Sequence, residues 1–530
     1  MIYPTIRKHA LFHRLIICTI EMKPALIATC WFLVLVLAAA LRFHDLGTRP
    51  LHADEATGAR ITARMMESDD YRFDPKHYHG PTLGIAGGSL AKFAGSSGWR
   101  DIQITPLRAV TAIAGLLLVM LPALARRRFG DAPMLVAALF LATSPLLVYF
   151  SRMYIHEMLL ALFGGLALWQ ATGTRMRWLA GLWVGLMFAT KETFAISMLA
   201  WGAAAAVVYL VETRGKIDMR GLWRVCGRDA VIAGLIALVV GFAFYTQGFR
   251  YWQGAVDAVR TYFIYETVAG HDKPFGWYSM LMLWPEARGG FRWGETVLGL
   301  VAMVSLAVSL QPGAMPRHAL LAVRFLALSA AFHWLIYSLI SYKTPWLMVL
   351  PWAHVALLAG FAIFHPVLRH RGPKVAAILL AILAAGAQFA QTARSSFRFA
   401  SDARNPYAYP ASSTDLNSLS AWITAIDQAA DFQSIEPIIV VGADYWPLPW
   451  YLRRHQHVGY YTAPPQHIER LPLVFDLAGI DELMLTTHVP IPRGLRDGLP
   501  VTAWVRFDFW DAYVDSLANE KSGESPRIGE

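Results

Sequence analysis

Apolar runs recur along the first 394 positions, separated by short polar breaks. The first, 24–43, is long enough to cross a hydrocarbon core of roughly 30 Å. Comparable runs fall at 106–125, 132–150, 153–171, 178–190, 193–211, 229–247, 293–311, 322–341, 345–364 and 374–393. The pattern predicts about eleven transmembrane helices. Lys191-Glu192 alone divides the fifth run from the sixth. Two polar stretches are long, 44–105 and 248–292. In the first, Ala56, Ala59, Ala63 and Met66 recur at helical spacing, and Asp54 is positioned to cap that helix. Thr82 to Ala94 is apolar but too short to span, and Gly84, Gly87 and Gly88 within it read as close-packing positions.

Beyond Arg394 the long apolar runs stop and Ser, Asn, Asp and Pro rise. Leu416, Leu419, Ile423 and Ile426 mark one helix, and short strands are predicted at 437–441, 483–487 and 501–509. The polar stretch from about Asn519 is expected to be disordered. The fold class is therefore an all-α polytopic membrane protein with a small C-terminal external α/β domain. Residues 1–394 form the transmembrane domain, which includes both long loops, and 395–530 the external domain.

Charge sets the orientation. The chain has 47 Lys and Arg against 37 Asp and Glu, a formal balance of +10. The basic residues gather in short loops between spans, so the excess reports membrane topology and no nucleic-acid partner is expected. With the N-terminus in the cytoplasm, Arg126-Arg127-Arg128, the 214–228 loop, Arg317 and the 369–374 loop all fall inside. The first run is expected to be an uncleaved span, with Met22 an alternative start. The C-terminal domain is then external, or periplasmic, to a plasma (inner) membrane. The nineteen Trp suit a protein with two membrane interfaces. Cys18, Cys30 and Cys226 have no metal-ligand spacing and read as packing residues.

Ionisable residues near membrane depth are costly and mark candidate sites. They cluster at external span ends: Asp54-Glu55, Arg152 with His156-Glu157, Lys191-Glu192, Gln247 with Arg250, and Tyr342-Lys343. Carboxylates beside cations suit glycosyl transfer from a lipid phosphate. The hydroxyl acceptor needs a base, and the departing phosphate needs positive charge. Asp54 and Glu55 are the catalytic candidates; the alternative for Asp54 is a helix cap, and for Glu55 a structural role. His52, His77, His79, Arg152, Lys191, Tyr342 and Lys343 are the candidate substrate and phosphate contacts. His156 and Glu157 are candidate metal ligands, with a local pairing to Arg152 as the alternative.

His52-Ala53-Asp54-Glu55-Ala56 followed by Tyr78-His79-Gly80-Pro81 resembles the first-loop signature of a bacterial and archaeal membrane family labelled flippase-activity-associated. Ser151-Arg152-Met153-Tyr154-Ile155-His156-Glu157, Thr190-Lys191-Glu192 and Ser341-Tyr342-Lys343-Thr344-Pro345-Trp346 extend the match. That family is similar to the lipid-dependent GT-C glycosyltransferases, among them protein O-mannosyltransferases, aminoarabinose transferases and oligosaccharyltransferases. The resemblance implies hexosyl or pentosyl transfer from a polyprenyl-phosphate donor to a protein, lipid or glycan acceptor in the cell envelope. It implies Asp54 as general base. In some relatives carboxylates of the first two external loops hold a metal, so Mg or Mn is a candidate cofactor. This chain has adjacent His156-Glu157 where the oligosaccharyltransferases carry two acidic residues with one residue between. Two rivals remain: a flippase or transporter component for lipid-linked sugars, and a non-catalytic scaffold for a partner glycosyltransferase.

Overall fold

The computed structural model describes residues 24–68, 71–264, 270–364, 371–430 and 437–522. Cys18, Met22, Tyr265, Glu266 and Arg369 lie outside the described residues. The chain packs as two units. Among the described residues, one comprises 24–44, 72–83 and 108–398, the other 45–71, 84–107 and 399–522. Most of the first long loop thus packs with the C-terminal residues, whereas the sequence reading had counted it with the transmembrane domain.

The first unit is helical. Among the described residues seven helices are long and apolar enough to cross a membrane: Pro24–Phe43, Ile104–Phe129, Phe194–Glu212, Arg228–Tyr245, Arg317–Leu339, Pro345–Phe364 and Val375–Arg398. A bent pair, Asp131–Thr143 and Pro145–Ser151, adds an eighth if counted as one span. This is a multi-pass membrane protein. Other apolar runs form shorter helices, including Glu157–Gly173 (17 residues) and Thr296–Ser309 (14 residues). Phe32, Leu33, Leu380 and Leu383 are exposed on their helices, as lipid-facing positions should be.

Small residues set the closest helix contacts. A Cβ on Gly181 would meet the carbonyl oxygen of Ala233 at 2.1 Å, and one on Gly185 would meet that of Ala237 at 2.7 Å. Helices Ala180–Phe188 and Arg228–Tyr245 therefore touch backbone to backbone. A hairpin of β1 (Glu286–Arg288) and β2 (Phe291–Trp293) turns on Gly289 and Gly290, both at positive φ. It buries Trp293 ahead of the next helix.

The second unit holds a mixed five-stranded sheet. Its strands are β3 (Ile438–Val441), β4 (Val458–Tyr461), β5 (Leu473–Asp476), β6 (His488–Arg496) and β7 (Leu499–Arg506), in the order β4-β3-β5-β7-β6. β3 runs parallel to β4 and β5, and β7 runs antiparallel to β5 and β6. Ile439, Val441, Val474, Met484 and Trp504 fill the core on one side. Helix Leu416–Ala429 buries the four residues its spacing singled out and packs against helix Phe507–Ser522. Two expectations need correction. The 483–487 segment is not a strand: Leu483 and Met484 lie in a short helix, Asp481–Met484, and the strand starts at His488. The strand predicted at 501–509 ends at Arg506, where the last helix begins. That helix carries Asn519 to Ser522, which had been expected to be disordered.

Gly181→Leu should destabilise the protein by about 1–3 kcal/mol, because the added side chain has no space at the helix contact. Thermal unfolding in detergent would register this as a lowered Tm; an unchanged Tm would show that these two helices are not in contact.

Candidate functional site

The acidic pair opens helix Ala53–Glu67. His52, not Asp54, is its N-cap. The ring Nδ1 of His52 accepts the Asp54 N–H at 3.1 Å, and the Glu55 carboxylate accepts the His52 N–H at 3.1 Å. This is a capping box with histidine in the place usually held by Ser or Thr. Nε2 of His52 lies 3.0 Å from the Tyr409 carbonyl oxygen, so the proton sits on Nε2 and Nδ1 is left to accept. The segment before the helix is pinned too. The Leu51 N–H donates to the Tyr451 hydroxyl (3.0 Å), and the Ser412 hydroxyl donates to the Leu51 carbonyl (2.7 Å).

The cap gives the two neighbouring carboxylates different surroundings. Glu55 is fully buried, and Arg49 donates to it at 3.2 Å. Asp54 keeps its side chain 53% exposed, with His52 Nδ1 3.9 Å away. Behind the pair, Ala56, Ala59 and Ala63 are buried as their spacing predicted. Helix Thr82–Phe93 closes on this helix through Gly84, where a Cβ would lie 2.5 Å from the Met65 sulfur. The reading of Gly84 as a close-packing residue thus has a named neighbour.

The first unit carries a separate polar cluster. The turn at Tyr78-His79-Gly80-Pro81 docks on the turn at Ala189–Glu192. A Cβ on Gly80 would meet the Ala189 carbonyl oxygen at 2.2 Å, so only glycine fits. Thr82 joins in through its N–H to the Ala189 carbonyl (3.2 Å) and a hydroxyl contact with Thr190 (2.8 Å). This docking sets His79 Nδ1 2.9 Å from a Glu192 carboxylate oxygen. Burial pushes the Glu192 carboxyl up, but the charge and hydrogen bond of His79, with Lys191 beside it, outweigh burial and hold it at about 2. His156 meets His79 edge to face with ring centroids 5.0 Å apart.

Lys191 and Glu157 form a buried ion pair at 2.5 Å. The alternative pairing of Glu157 with Arg152 is not made. Arg152 instead donates to the carbonyls of Leu41, Arg42 and His44 at the end of helix Pro24–Phe43, and lies 4.5 Å over the Phe397 ring. Lys343 is buried, and its ammonium donates to the carbonyls of Lys273 and Ile340. Its neighbour Tyr342 bridges to Asp272 and packs beside His271. His77 sits apart from His79, exposed and paired with Asp74 at 2.8 Å. Among the described residues no group of three or more His, Cys, Asp or Glu side chains is arranged to hold a metal ion. With Glu157 committed to Lys191, the His156-Glu157 pair as arranged does not form a metal donor set.

Two carboxylates were not in the sequence-derived site. Glu192 stands in the sequence among the ionisable residues at external span ends, without a role of its own. Glu295 is buried and accepts from the Ser144 hydroxyl (2.7 Å), the Leu146 N–H (2.8 Å) and the Trp352 indole (2.6 Å). It thereby holds the break between Thr143 and Pro145, from which the chain runs on to Arg152. Its sequence signal was a lone acid at the start of an apolar run, Glu295-Thr296-Val297.

No protein-family model matches this sequence, and no curated protein matches it. Solved structures do. ArnT from Cupriavidus metallidurans in the apo state superposes with a TM-score of 0.61 at 18% identity, over 90% of this chain and 98% of that one. The same protein bound to undecaprenyl phosphate gives 0.59 at 17%, with the same coverage. The oligosaccharyltransferase of Archaeoglobus fulgidus in the apo form gives 0.53 at 13%, over 82% of this chain and 64% of that one. The fold is that of the GT-C glycosyltransferases, the wider group anticipated from the first-loop motifs.

Lys191→Met should cost about 3–5 kcal/mol, because it leaves the Glu157 charge buried without a partner. Adding Glu157→Leu should restore most of the loss. Unfolding midpoints of the two variants check this, and a single variant as stable as wild type would contradict the pair. Glu192 has a depressed folded pKa, so its stabilisation is complete above its ordinary value of 4.5 and fades as pH falls through about 2. Glu192→Gln should therefore lower Tm more above pH 5 than near pH 2; a difference that does not change between those pH values would contradict a carboxylate held charged by its surroundings.

Proposed function

We propose that this protein is a membrane glycosyltransferase that moves a sugar from a polyprenyl-phosphate donor to an acceptor hydroxyl on the external face, with Asp54 as general base. The observation that carries the reading is the split between the two first-loop carboxylates. Glu55 is buried in the capping box, whereas Asp54 is exposed, one residue inside the helix that fixes its backbone. The fold shared with ArnT, a protein whose structure has been solved with undecaprenyl phosphate, supports a lipid-phosphate donor. Eleven crossings with the basic loops inside would put the first loop and the C-terminal residues on the external side.

In this reading the acceptor oxygen attacks the anomeric carbon as its proton passes to Asp54. The carbon–oxygen bond to the lipid phosphate breaks, and the phosphate leaves with the electron pair. A single displacement inverts the anomeric centre. A phosphate is a stable leaving group, so no general acid is required. Glu55 is a positioning residue. His52 orients the base. Lys343, with its ammonium on two carbonyls, is assigned to the support of its loop.

Asp54→Asn should lower transfer by about 10²–10⁴-fold, with Tm and donor binding retained. Glu55→Gln should lower Tm first, because it weakens both the cap and the Arg49 pair. The assay is transfer from a synthetic polyprenyl-phosphate sugar in proteoliposomes. Near-normal turnover by Asp54→Asn would remove Asp54 from the reaction, and movement of lipid-linked sugar without any transfer would favour the transporter reading. The donor that accumulates and the glycan that disappears in a deletion strain would identify both substrates.

A further inference from the structure

A cavity of about 520 Å³ lies within the second unit. Its walls are the far end of helix Ala53–Glu67, the turn Ser97–Asp101, and the stretch from Pro449 to Tyr460 that leads into β4. The volume falls in the roughly 300–1,000 Å³ range of small-molecule sites. None of the motifs assigned to catalysis lines it.

Arg60, Arg100 and Arg453 line the cavity with Glu67 and Asp101. Both carboxylates already serve the backbone. Asp101 accepts from the Ser97 N–H and hydroxyl (2.8 and 2.7 Å) and from the Gly98 N–H (2.8 Å). Glu67 accepts the Trp99 N–H at 2.5 Å. Arg453 is held flat against the Trp450 ring at 3.9 Å and donates to the carbonyls of Trp450 (2.6 Å) and Ile102 (3.3 Å). Its Nε is buried and has no partner. Arg60 lies 5.0 Å over the Trp99 ring. Trp99 and Tyr460 add aromatic surface, and Tyr460 keeps 36% of its area exposed.

We propose that this cavity binds an anionic saccharide, a sugar chain bearing a carboxylate or phosphate, as the recognition site for the acceptor. Guanidinium groups pair with carboxylate or phosphate oxygens in a planar, two-bond geometry. Indole and phenol rings offer flat apolar surface with a polar edge, which suits the face of a sugar ring. Two arginines held against such rings, with Arg100 beside them in the lining, form a surface where both halves of an acidic sugar find partners. The word acceptor rests on the transferase reading; the binding itself does not.

The test is calorimetry on the full-length protein in detergent, titrated with a uronic-acid oligosaccharide, a phosphorylated oligosaccharide, a neutral oligosaccharide of equal length and a Glu-rich peptide. At least one acidic sugar should bind ten or more times tighter than the neutral one, and which of the two does so separates carboxylate from phosphate recognition. Arg60→Gln should weaken that binding about tenfold. Arg100→Gln, at an exposed turn position, should do the same with an unchanged Tm. Equal affinity for neutral and acidic sugars, indifference to both substitutions, or preference for the peptide would overturn the proposal. Tight acidic-sugar binding by a protein that transfers no sugar would uphold this site and count against the transferase reading. Transfer without such binding would do the reverse.

Discussion

The arrangement depends on one capping box. Two adjacent carboxylates at the start of a helix would ordinarily compete for the same N–H groups and face the same solvent. Here His52 takes the position of the cap and Glu55 closes the box from inside, where Arg49 and a backbone N–H meet its buried charge. Asp54 is thereby left outside with its backbone fixed. The cap is itself anchored by residues about 360 to 400 positions away, Tyr409, Ser412 and Tyr451. A motif of five residues thus owes its geometry to the C-terminal part of the chain.

The polar groups of the helical unit follow a related logic. A charge near membrane depth is held in place by a partner rather than left mobile. Lys191 is paired with Glu157, His79 with Glu192, and Arg152 with the carbonyls at the end of a helix. Glu295 joins three donors at the bend of a broken helix. These contacts join turns that are far apart in sequence. They convert flexible side chains into fixed dipoles and charges, the form in which such groups act on a developing charge with little reorganisation.

Much of this was legible in the sequence because it depends on periodicity. Ala56, Ala59 and Ala63, and likewise Leu416, Leu419, Ile423 and Ile426, are buried because helical spacing puts them on one face. The apolar runs fold as helices because membrane depth leaves the backbone no other way to satisfy its hydrogen bonds. What was missed depends on long-range contact. Asp54 looked like the cap because Asp is a common one; His52 takes that role because Tyr409 holds its other ring nitrogen. Leu483 and Met484 looked like the start of a strand, yet a helical turn begins at Asp481. The neighbouring strand β6 was hidden by Pro490 and Pro492, which a sheet-edge strand accommodates. No local signal pairs His79 with Glu192, which are 113 residues apart.

The central claim is that the Asp54 carboxylate, and not that of Glu55, takes the proton of the acceptor. Chemical rescue tests it most directly, with sugar transfer followed in proteoliposomes of Asp54→Ala and Glu55→Ala as sodium formate is added. The account predicts that formate restores transfer to the Asp54 variant in a concentration-dependent way and leaves the Glu55 variant unchanged. Rescue of the Glu55 variant alone, or full activity of the Asp54 variant without formate, would contradict it.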